Sequence, residues 1–255
     1  MNAMLSGKKG LIVGIANEAS IAWGCAAAFR AHGAELAVTY LNEKAEPHVR
    51  PLAAKLDAPI CMKLDVTQPT EQEALFAEIK QRWGKLDFLL HAVAFAPKAD
   101  LNGRVTDSSA DGFAQAMDIS CHSLIRLCRS AEPLMHGGGA VLTLSYYGAE
   151  KVVTNYNIMG PVKAALESSV RYLAVELGTQ KIRVNALSAG PVKTRAASGL
   201  TDFDKLMEDA AARAPLHQLV TIQQIGEMAA FLASGSAETV TGQTIYIDAG
   251  FNIRG

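Results

Sequence analysis

Gly10-Leu11-Ile12-Val13-Gly14-Ile15-Ala16-Asn17-Glu18-Ala19-Ser20-Ile21-Ala22-Trp23-Gly24 is the stretch whose reading decides the fold. Leu11-Ile12-Val13 is apolar without alternation, as in a parallel strand buried on both faces. Gly14 permits a tight turn. Ser20 is a good N-cap, and its hydroxyl also suits a phosphate. Ile21 opens a helical pattern, and Gly24 lets that helix pack close to the sheet. Strand, glycine turn and helix N-terminus together present backbone N–H groups to a dinucleotide's pyrophosphate. The strict GxGxxG spacing is absent. Position between strand and helix therefore carries the reading, against a plain glycine turn with a capping serine.

Outward from this stretch, short apolar runs alternate with longer amphipathic ones. Strands are expected at Gly10–Val13, Glu35–Tyr40, Ile60–Leu64, Phe88–Ala92, Ala140–Leu144, Arg183–Ser188 and Thr244–Ile247. Helices are expected at Ile21–His32, Ala45–Leu56, Thr70–Trp83, Gly112–Met135, Asn157–Leu177 and Ile222–Ala233. Such alternation implies right-handed βαβ crossovers. The expected fold is α/β: a single-domain, Rossmann-type, doubly wound parallel sheet with helices on both faces, spanning residues 1–255. Residues 191–215 break the rhythm and are read as a substrate-covering loop with a short helix.

Bulk properties narrow the function classes. The chain has 255 residues, 49% hydrophobic and 19% charged, which fits one large globular domain. A formal charge of −1 gives no case for nucleic-acid binding. No apolar run is long enough to span a bilayer. Gly10–Ile15 follows two lysines, but Asn17 and Glu18 interrupt it, so it reads as a strand and not a signal peptide. Cys25, Cys61, Cys121 and Cys128 form no CxxC and no disulfide framework. They read as reduced, mostly buried residues of a cytoplasmic protein. The histidines lack metal-ligand spacing, so no metal is expected.

The second strand ends in Tyr40-Leu41-Asn42-Glu43-Lys44. A carboxylate at its tip would bind ribose hydroxyls and an arginine a 2′-phosphate; neither is there, and Lys44 is late. NADH is favoured over NADPH. Asp65, after the third strand, suits the adenine edge, with Val66 beside it. Its alternative role is to cap the next helix together with Thr67.

Tyr156 and Lys163 stand seven positions apart. On a helix that spacing sets a phenol and an ammonium on one face, two turns apart. Behind a dinucleotide-type βαβ pattern, the pair suggests hydride transfer.

The runs Ser145-Tyr146-Tyr147-Gly148-Ala149-Glu150, Asn155-Tyr156-Asn157-Ile158-Met159-Gly160 and Lys163-Ala164-Ala165-Leu166-Glu167 resemble bacterial NADH-dependent enoyl-acyl-carrier-protein reductases of the short-chain dehydrogenase superfamily. Gly14–Gly24, Asp65-Val66, His91–Pro97, Ser188-Ala189-Gly190-Pro191 and Ala196-Ala197-Ser198-Gly199 agree, so the resemblance covers essentially the whole chain. It implies catalytic roles for Tyr146, Tyr156 and Lys163. It implies cofactor contacts at Gly14, Ser20, Ile21, Leu41, Asp65, Val66, Val93, Lys163, Val192 and Thr194. The acyl chain is expected near Ala96, Tyr146, Tyr156 and Met159. The resemblance further implies an acyl carrier protein as partner, bearing the enoyl thioester, and a homotetramer.

In ordinary short-chain dehydrogenases the catalytic tyrosine lies four residues before the lysine. Here that residue is Met159, which cannot supply a proton. Ketone reduction needs the proton donor within one C=O bond, about 1.2 Å, of the hydride acceptor. In a conjugated thioester, hydride goes to Cβ while charge develops on an oxygen three bonds away. A displaced tyrosine suits that reaction. Tyr156 is expected to hydrogen-bond the enolate oxygen, and Lys163 to hold the nicotinamide ribose and lower the phenol's pKa. The competing readings are a carbonyl or alcohol dehydrogenase, which Met159 disfavours, and a non-catalytic NAD(H)-sensing regulator, which needs no Tyr156–Lys163 pair.

Three local features add expectations. Ala94 stands where many relatives carry glycine, so its methyl should narrow the pocket beside the nicotinamide. Pro161 should lie in the first turn of its helix or mark a kink. The carrier protein is acidic, yet Asp202–Asp209 is net acidic as well; Lys193, Arg195 and Arg213 are the nearby cations.

Overall fold

The computed structural model describes residues 3–194 and 203–254. Among them, seven strands form one parallel sheet: β1 (Lys9–Val13), β2 (Glu35–Tyr40), β3 (Ile60–Lys63), β4 (Phe88–His91), β5 (Gly139–Ser145), β6 (Ile182–Ala189) and β7 (Thr244–Ile247). Their spatial order is β3-β2-β1-β4-β5-β6-β7. β1 therefore pairs with β2 on one side (Gly10 beside Leu36) and with β4 on the other (Gly10 beside Phe88). The order reverses between β1 and β4, and open α/β sheets bind ligands in the crevice at such a point.

The helices are α1 (Ile21–Ala31), α2 (Glu46–Lys55), α3 (Pro69–Trp83), α4 (Lys98–Leu101), α5 (Ala110–Met117), α6 (Ser123–Ala131), α7 (Met159–Gly178), α8 (Phe203–Arg213) and α9 (Ile222–Ala233). Alternate strand residues feed two separate cores. Ile12, Leu36 and Val38 pack with Phe29 of α1, Leu52 of α2 and Ile225 of α9. Leu11, Val13, Ala37 and Leu89 pack with Leu75 of α3, Leu127 of α6 and Val170 of α7. Helices thus cover both faces, and the unbroken apolar runs of the strands are what two buried faces require.

Three local expectations need correction. The single helix expected at Gly112–Met135 is broken by a π-helical turn, Asp118–His122. The cause is Ser120, fully buried, whose hydroxyl accepts from Phe95 N–H (2.8 Å) and donates to Phe95 C=O (2.9 Å). The wider turn lets a serine on the helix satisfy the loop after β4. Gly24, expected to bring α1 close to the sheet, instead faces α9: a Cβ there would lie 2.3 Å from the Ile222 carbonyl oxygen. The helix expected from Asn157 begins at Met159, because Asn157 has a left-handed backbone (φ 45°). Pro161 is then the third helical residue, in the first turn as anticipated, where its missing N–H costs no helix bond.

α8 is the short helix anticipated within 191–215. Residues 195–202, which include Arg195, Ala196-Ala197-Ser198-Gly199 and Asp202, lie outside the described residues. Lys193 pairs with Asp204 at 3.0 Å, and Arg213 stacks on the Phe251 ring. Of the three cations expected to offset the acidic segment, Lys193 thus pairs with one of its carboxylates, Arg213 lies on an aromatic ring, and Arg195 lies outside the described residues. No described helix is long and apolar enough to cross a membrane.

Candidate active site

The residues singled out at the cofactor end all lie just beyond the C-terminal tips of the strands. Gly14 follows β1 with φ 116°, and a Cβ there would lie 2.2 Å from the Ala92 carbonyl oxygen, so only glycine lets the two tips approach. Ser20 caps α1 by accepting from Trp23 N–H at 3.3 Å, and its hydroxyl donates to the Asn17 carbonyl at 2.7 Å. Ile21 opens the helix, and of its first-turn N–H groups that of Trp23 already bonds the Ser20 carbonyl at 3.0 Å. Leu41, at the tip of β2, is 53% exposed. Val93 follows β4 and packs against the second core. Val192 and Thr194 follow β6, and Thr194 N–H donates to the Val192 carbonyl at 2.8 Å.

Asp65 is half-buried after β3, and one carboxylate oxygen accepts from both Thr67 N–H (2.9 Å) and the Thr67 hydroxyl (2.7 Å). Asp65 and Thr67 thus close a local turn and do not cap α3, whose N-cap is Gln68 with no side-chain bond. The Val66 carbonyl accepts from Arg126 at 2.9 Å, and Arg126 also grips Asp118. Val66 is therefore tied to the π turn.

At the other end of the crevice, β5 leads straight into Tyr146, in extended conformation, and then a tight 3-10 turn over Tyr147–Ala149. The Tyr146 and Tyr156 rings meet edge-on, with centroids 4.9 Å apart. Tyr156 is not on α7. It sits in the loop before the helix, between Asn155 (φ 65°) and Asn157 (φ 45°). The expected shared helix face is thus replaced by a loop that folds the phenol back over Gly148. That glycine escaped the sequence reading, yet a Cβ on it would lie 2.4 Å from Tyr156 Cδ1. Met159 is buried in a small apolar cluster with Ala116, Ile158 and Val162, against which Ala96 and Tyr156 pack. The four residues expected near the acyl chain are therefore brought together.

Lys163 is only 5% exposed and donates from Nζ to the Leu144 carbonyl at 2.7 Å. Burial pulls its pKa down to about 8, against a smaller opposing pull from the Glu167 carboxylate. Burial pushes Tyr146 up to about 12 and Tyr156 higher still, helped by Tyr146 and Glu167. Lys163 was expected to lower the Tyr156 pKa; loss of solvation dominates, and the net direction is upward. Tyr156 stays a protonated donor across the physiological range.

Two more buried groups stand in the motif runs, but the sequence reading gives them no role. Glu167, one turn beyond Lys163, is 6% exposed and accepts a short hydrogen bond from the Ser145 hydroxyl. His91, at the end of β4, lies fully buried between Thr143 and Ser123 hydroxyls, each 2.8 Å away. Burial and the Lys163 charge hold it down to about 3, so it is neutral. The sequence signals for Glu167 are its place in the Lys163–Glu167 motif run and its spacing of four from Lys163, which sets both on one face of α7.

This donor set fits a dinucleotide. The glycine cradle at the β1–β4 reversal and the first turn of α1 suit a pyrophosphate. The Lys163 ammonium has three N–H donors and spends one on Leu144, leaving two for ribose hydroxyls. Among the described residues no cluster of His, Cys, Asp and Glu could hold a metal ion.

Known proteins share this architecture and sequence. A family model described as enoyl-(acyl carrier protein) reductase matches residues 14–252. The enoyl-[acyl-carrier-protein] reductase [NADH] of Rickettsia felis is 51% identical over 252 residues, covering 99% of this chain and 97% of its own. The Anaplasma phagocytophilum reductase, solved in complex with NAD, superposes with a TM-score of 0.96 at 47% identity, covering 100% of this chain and 97% of its own. The Bacillus cereus enoyl-acyl carrier protein reductase, solved with NADP+ and an indole naphthyridinone, gives 0.97 at 44% identity, with 100% of both chains covered. By sequence and by structure, the chain belongs to the enoyl-(acyl carrier protein) reductase family.

Proposed function

We propose that this chain reduces the trans-2 C=C bond of an enoyl thioester carried on acyl carrier protein, using NADH, as the last step of a fatty-acid elongation cycle. The observation that carries the residue assignment is the pairing of two half-buried, protonated phenols, Tyr146 and Tyr156, beside an apolar cluster that includes Met159. When bound, NADH supplies the hydride. Tyr156 donates a hydrogen bond to the thioester oxygen, where charge collects as the enolate forms. Lys163 holds the nicotinamide ribose hydroxyls with the two donors that Leu144 leaves over. Tyr146 fixes the Tyr156 ring and lines the acyl side with Ala96 and Met159. A site of this kind needs no proton donor close to the carbon that accepts hydride, which suits Met159 in the position of the usual tyrosine.

For the cofactor's other end, the proposed contacts are Gly14, Ser20, Ile21, Leu41, Asp65, Val66, Val93, Val192 and Thr194. NADH is favoured over NADPH because the β2 tip offers Leu41 and no cation for a 2′-phosphate. The NADP+ bound to the Bacillus cereus relative makes both cofactors part of the test. The segment 191–215 would cover the substrate. A homotetramer is proposed from the family resemblance. Tyr172 and Val175, exposed on α7, supply apolar surface for contact between copies. The free thiols suit a cytoplasmic enzyme.

The test is to follow oxidation of NADH, then NADPH, with a trans-2-enoyl thioester on carrier protein or on coenzyme A. Turnover that depends on Lys163 and Tyr156 supports the reading. Turnover of ketones alone would make the chain a carbonyl reductase, and tight NADH binding with no turnover would make it a sensor.

A further inference from the structure

α7 grips the end of β5 at two consecutive residues. Lys163 Nζ donates to the Leu144 carbonyl, and one turn along, Glu167 accepts from the Ser145 hydroxyl. Tyr146 is the next residue, so both bonds sit at the root of the loop that carries the phenol pair. Lys163, Ser145 and Glu167 are 5%, 6% and 6% exposed. A buried carboxylate is costly unless it does something for its neighbours, and apolar residues commonly replace such groups at no loss of stability.

We propose that Glu167 is a positioning residue for the reduction: bonded to Ser145, it fixes the root of the Tyr146 loop and supplies the counter-charge for the buried ammonium of Lys163. This rests on the reductase reading.

The surroundings leave Glu167 as the charge that serves this purpose. Around Lys163 stand the Leu144 carbonyl from β5, neutral His91 from β4 and Cys121 from the π turn. None of these is an anion; Glu167, one turn along the same face of α7, is the carboxylate whose charge acts on the ammonium. Around Glu167 stand Ser145, Thr244 and Tyr246 from the sheet, Glu150 from the turn after β5, and Arg171 a turn further along α7. Burial raises the Glu167 pKa; the Ser145 and Thr244 hydroxyls work against that rise. Ser145 thus helps keep the carboxylate ionised, and the carboxylate helps keep Lys163 charged.

The experiment uses the full chain, with two readouts across about pH 6 to pH 10. One is NADH affinity, followed by the fluorescence of the bound nucleotide. The other is kcat/KM for NADH with an enoyl thioester, which reports groups of the cofactor-free enzyme. Ribose binding needs the ammonium, so both quantities should fall as pH rises through the Lys163 pKa. Glu167→Gln keeps an acceptor for Ser145 but removes the charge. It should move the alkaline fall in both profiles to lower pH by about half a unit or more, with thermal unfolding close to native. Glu167→Leu removes the charge together with the buried polar group and should shift both profiles in the same direction. It decides the matter if the glutamine variant does not fold. Alkaline limbs that coincide with the native ones, in whichever variant folds, overturn the proposal. A native protein that oxidises no NADH with enoyl thioesters overturns the reductase reading instead, so the two failures are distinct.

Discussion

At the tips of β1 and β3, polar side chains are satisfied by their own loops. Ser20 bonds Asn17 and Trp23, and Asp65 bonds Thr67, all within three residues. At the tip of β5 the partners come from far along the chain: Ser145 bonds Glu167, Lys163 bonds Leu144, and Tyr146 meets Tyr156. The groups there are also ionisable and largely withdrawn from water, which pushes Tyr146 up to about 12 and pulls Lys163 down to about 8. The adenosine end is a prefolded cradle whose defects should appear as lost stability and weaker binding. The nicotinamide end holds groups away from water in protonation states that serve chemistry, so its defects should appear first in kcat.

The contrast is tested most severely by Lys163→Met. Turnover should fall by about three orders of magnitude, since a preorganised charged donor is lost. Stability should respond in the opposite sense. The folded-state pKa of Lys163 is lowered from 10.5 to about 8, so between those values the unfolded chain holds a proton that the folded chain has released. Native stability relative to the variant should therefore rise with pH across that window, and be least favourable below it. Tm measured on both proteins against pH checks the sign; a gap that widens in the variant's favour above pH 8 would sink the assignment. Tyr156→Phe is next, with kcat expected to fall about 100-fold while KM for NADH stays near native. Equal losses in kcat and NADH affinity would show that the two ends of the site are not separable.

The same division explains what could be read from the sequence. Leu11-Ile12-Val13 announces a strand buried on both faces because burial is a property of each residue, and the structure places it so. Ser20 announces a helix start because its partner Trp23 is three residues away. Gly14, Ser20 and Asp65 lie at the strand tips because βαβ periodicity puts them there; Leu41, Val93, Val192 and Thr194 are implied by the family resemblance. The Ser120 bond to Phe95, which opens the π turn, spans twenty-five residues, and the Ser145–Glu167 bond spans twenty-two. Gly24 packs against Ile222, almost two hundred positions away. Periodicity carries no information about such partners. The loop before α7 was missed for a subtler reason: Asn155 and Asn157 are residues that tolerate left-handed backbone, but the helical pattern running through Ile158 and Val162 outweighed them.

Gly148→Ala makes a smaller and more specific disturbance. The new methyl would overlap Tyr156 Cδ1, so the ring must shift away from its seat beside Tyr146. A displacement of about 1 Å is enough to lower kcat 10- to 100-fold. NADH affinity should hardly change, because the glycine lies on the acyl side of the site. An unchanged kcat would mean that the Tyr156 ring does not need this seat.

Ser20→Ala should have the smallest effect and shows the other half of the contrast. The hydroxyl caps α1 through Trp23 N–H, and loss of a serine cap costs about 1 kcal/mol. Native folding stability should drop by about that amount, read from denaturant midpoints at unchanged slope. The same hydroxyl sits where the α1 N-terminus would face a pyrophosphate, so KM for NADH should rise by a few-fold. Yet kcat at saturating NADH should stay native, because nothing at the tip of β1 touches the enoyl thioester or sets the state of Tyr156. A large fall in kcat from this substitution would mean that strain at the adenosine end reaches the reacting groups across the β1–β4 crevice. The separation of cradle from chemistry would then be wrong, and the Gly14–Ala92 approach, where the two tips touch, would be the first place to look for the coupling.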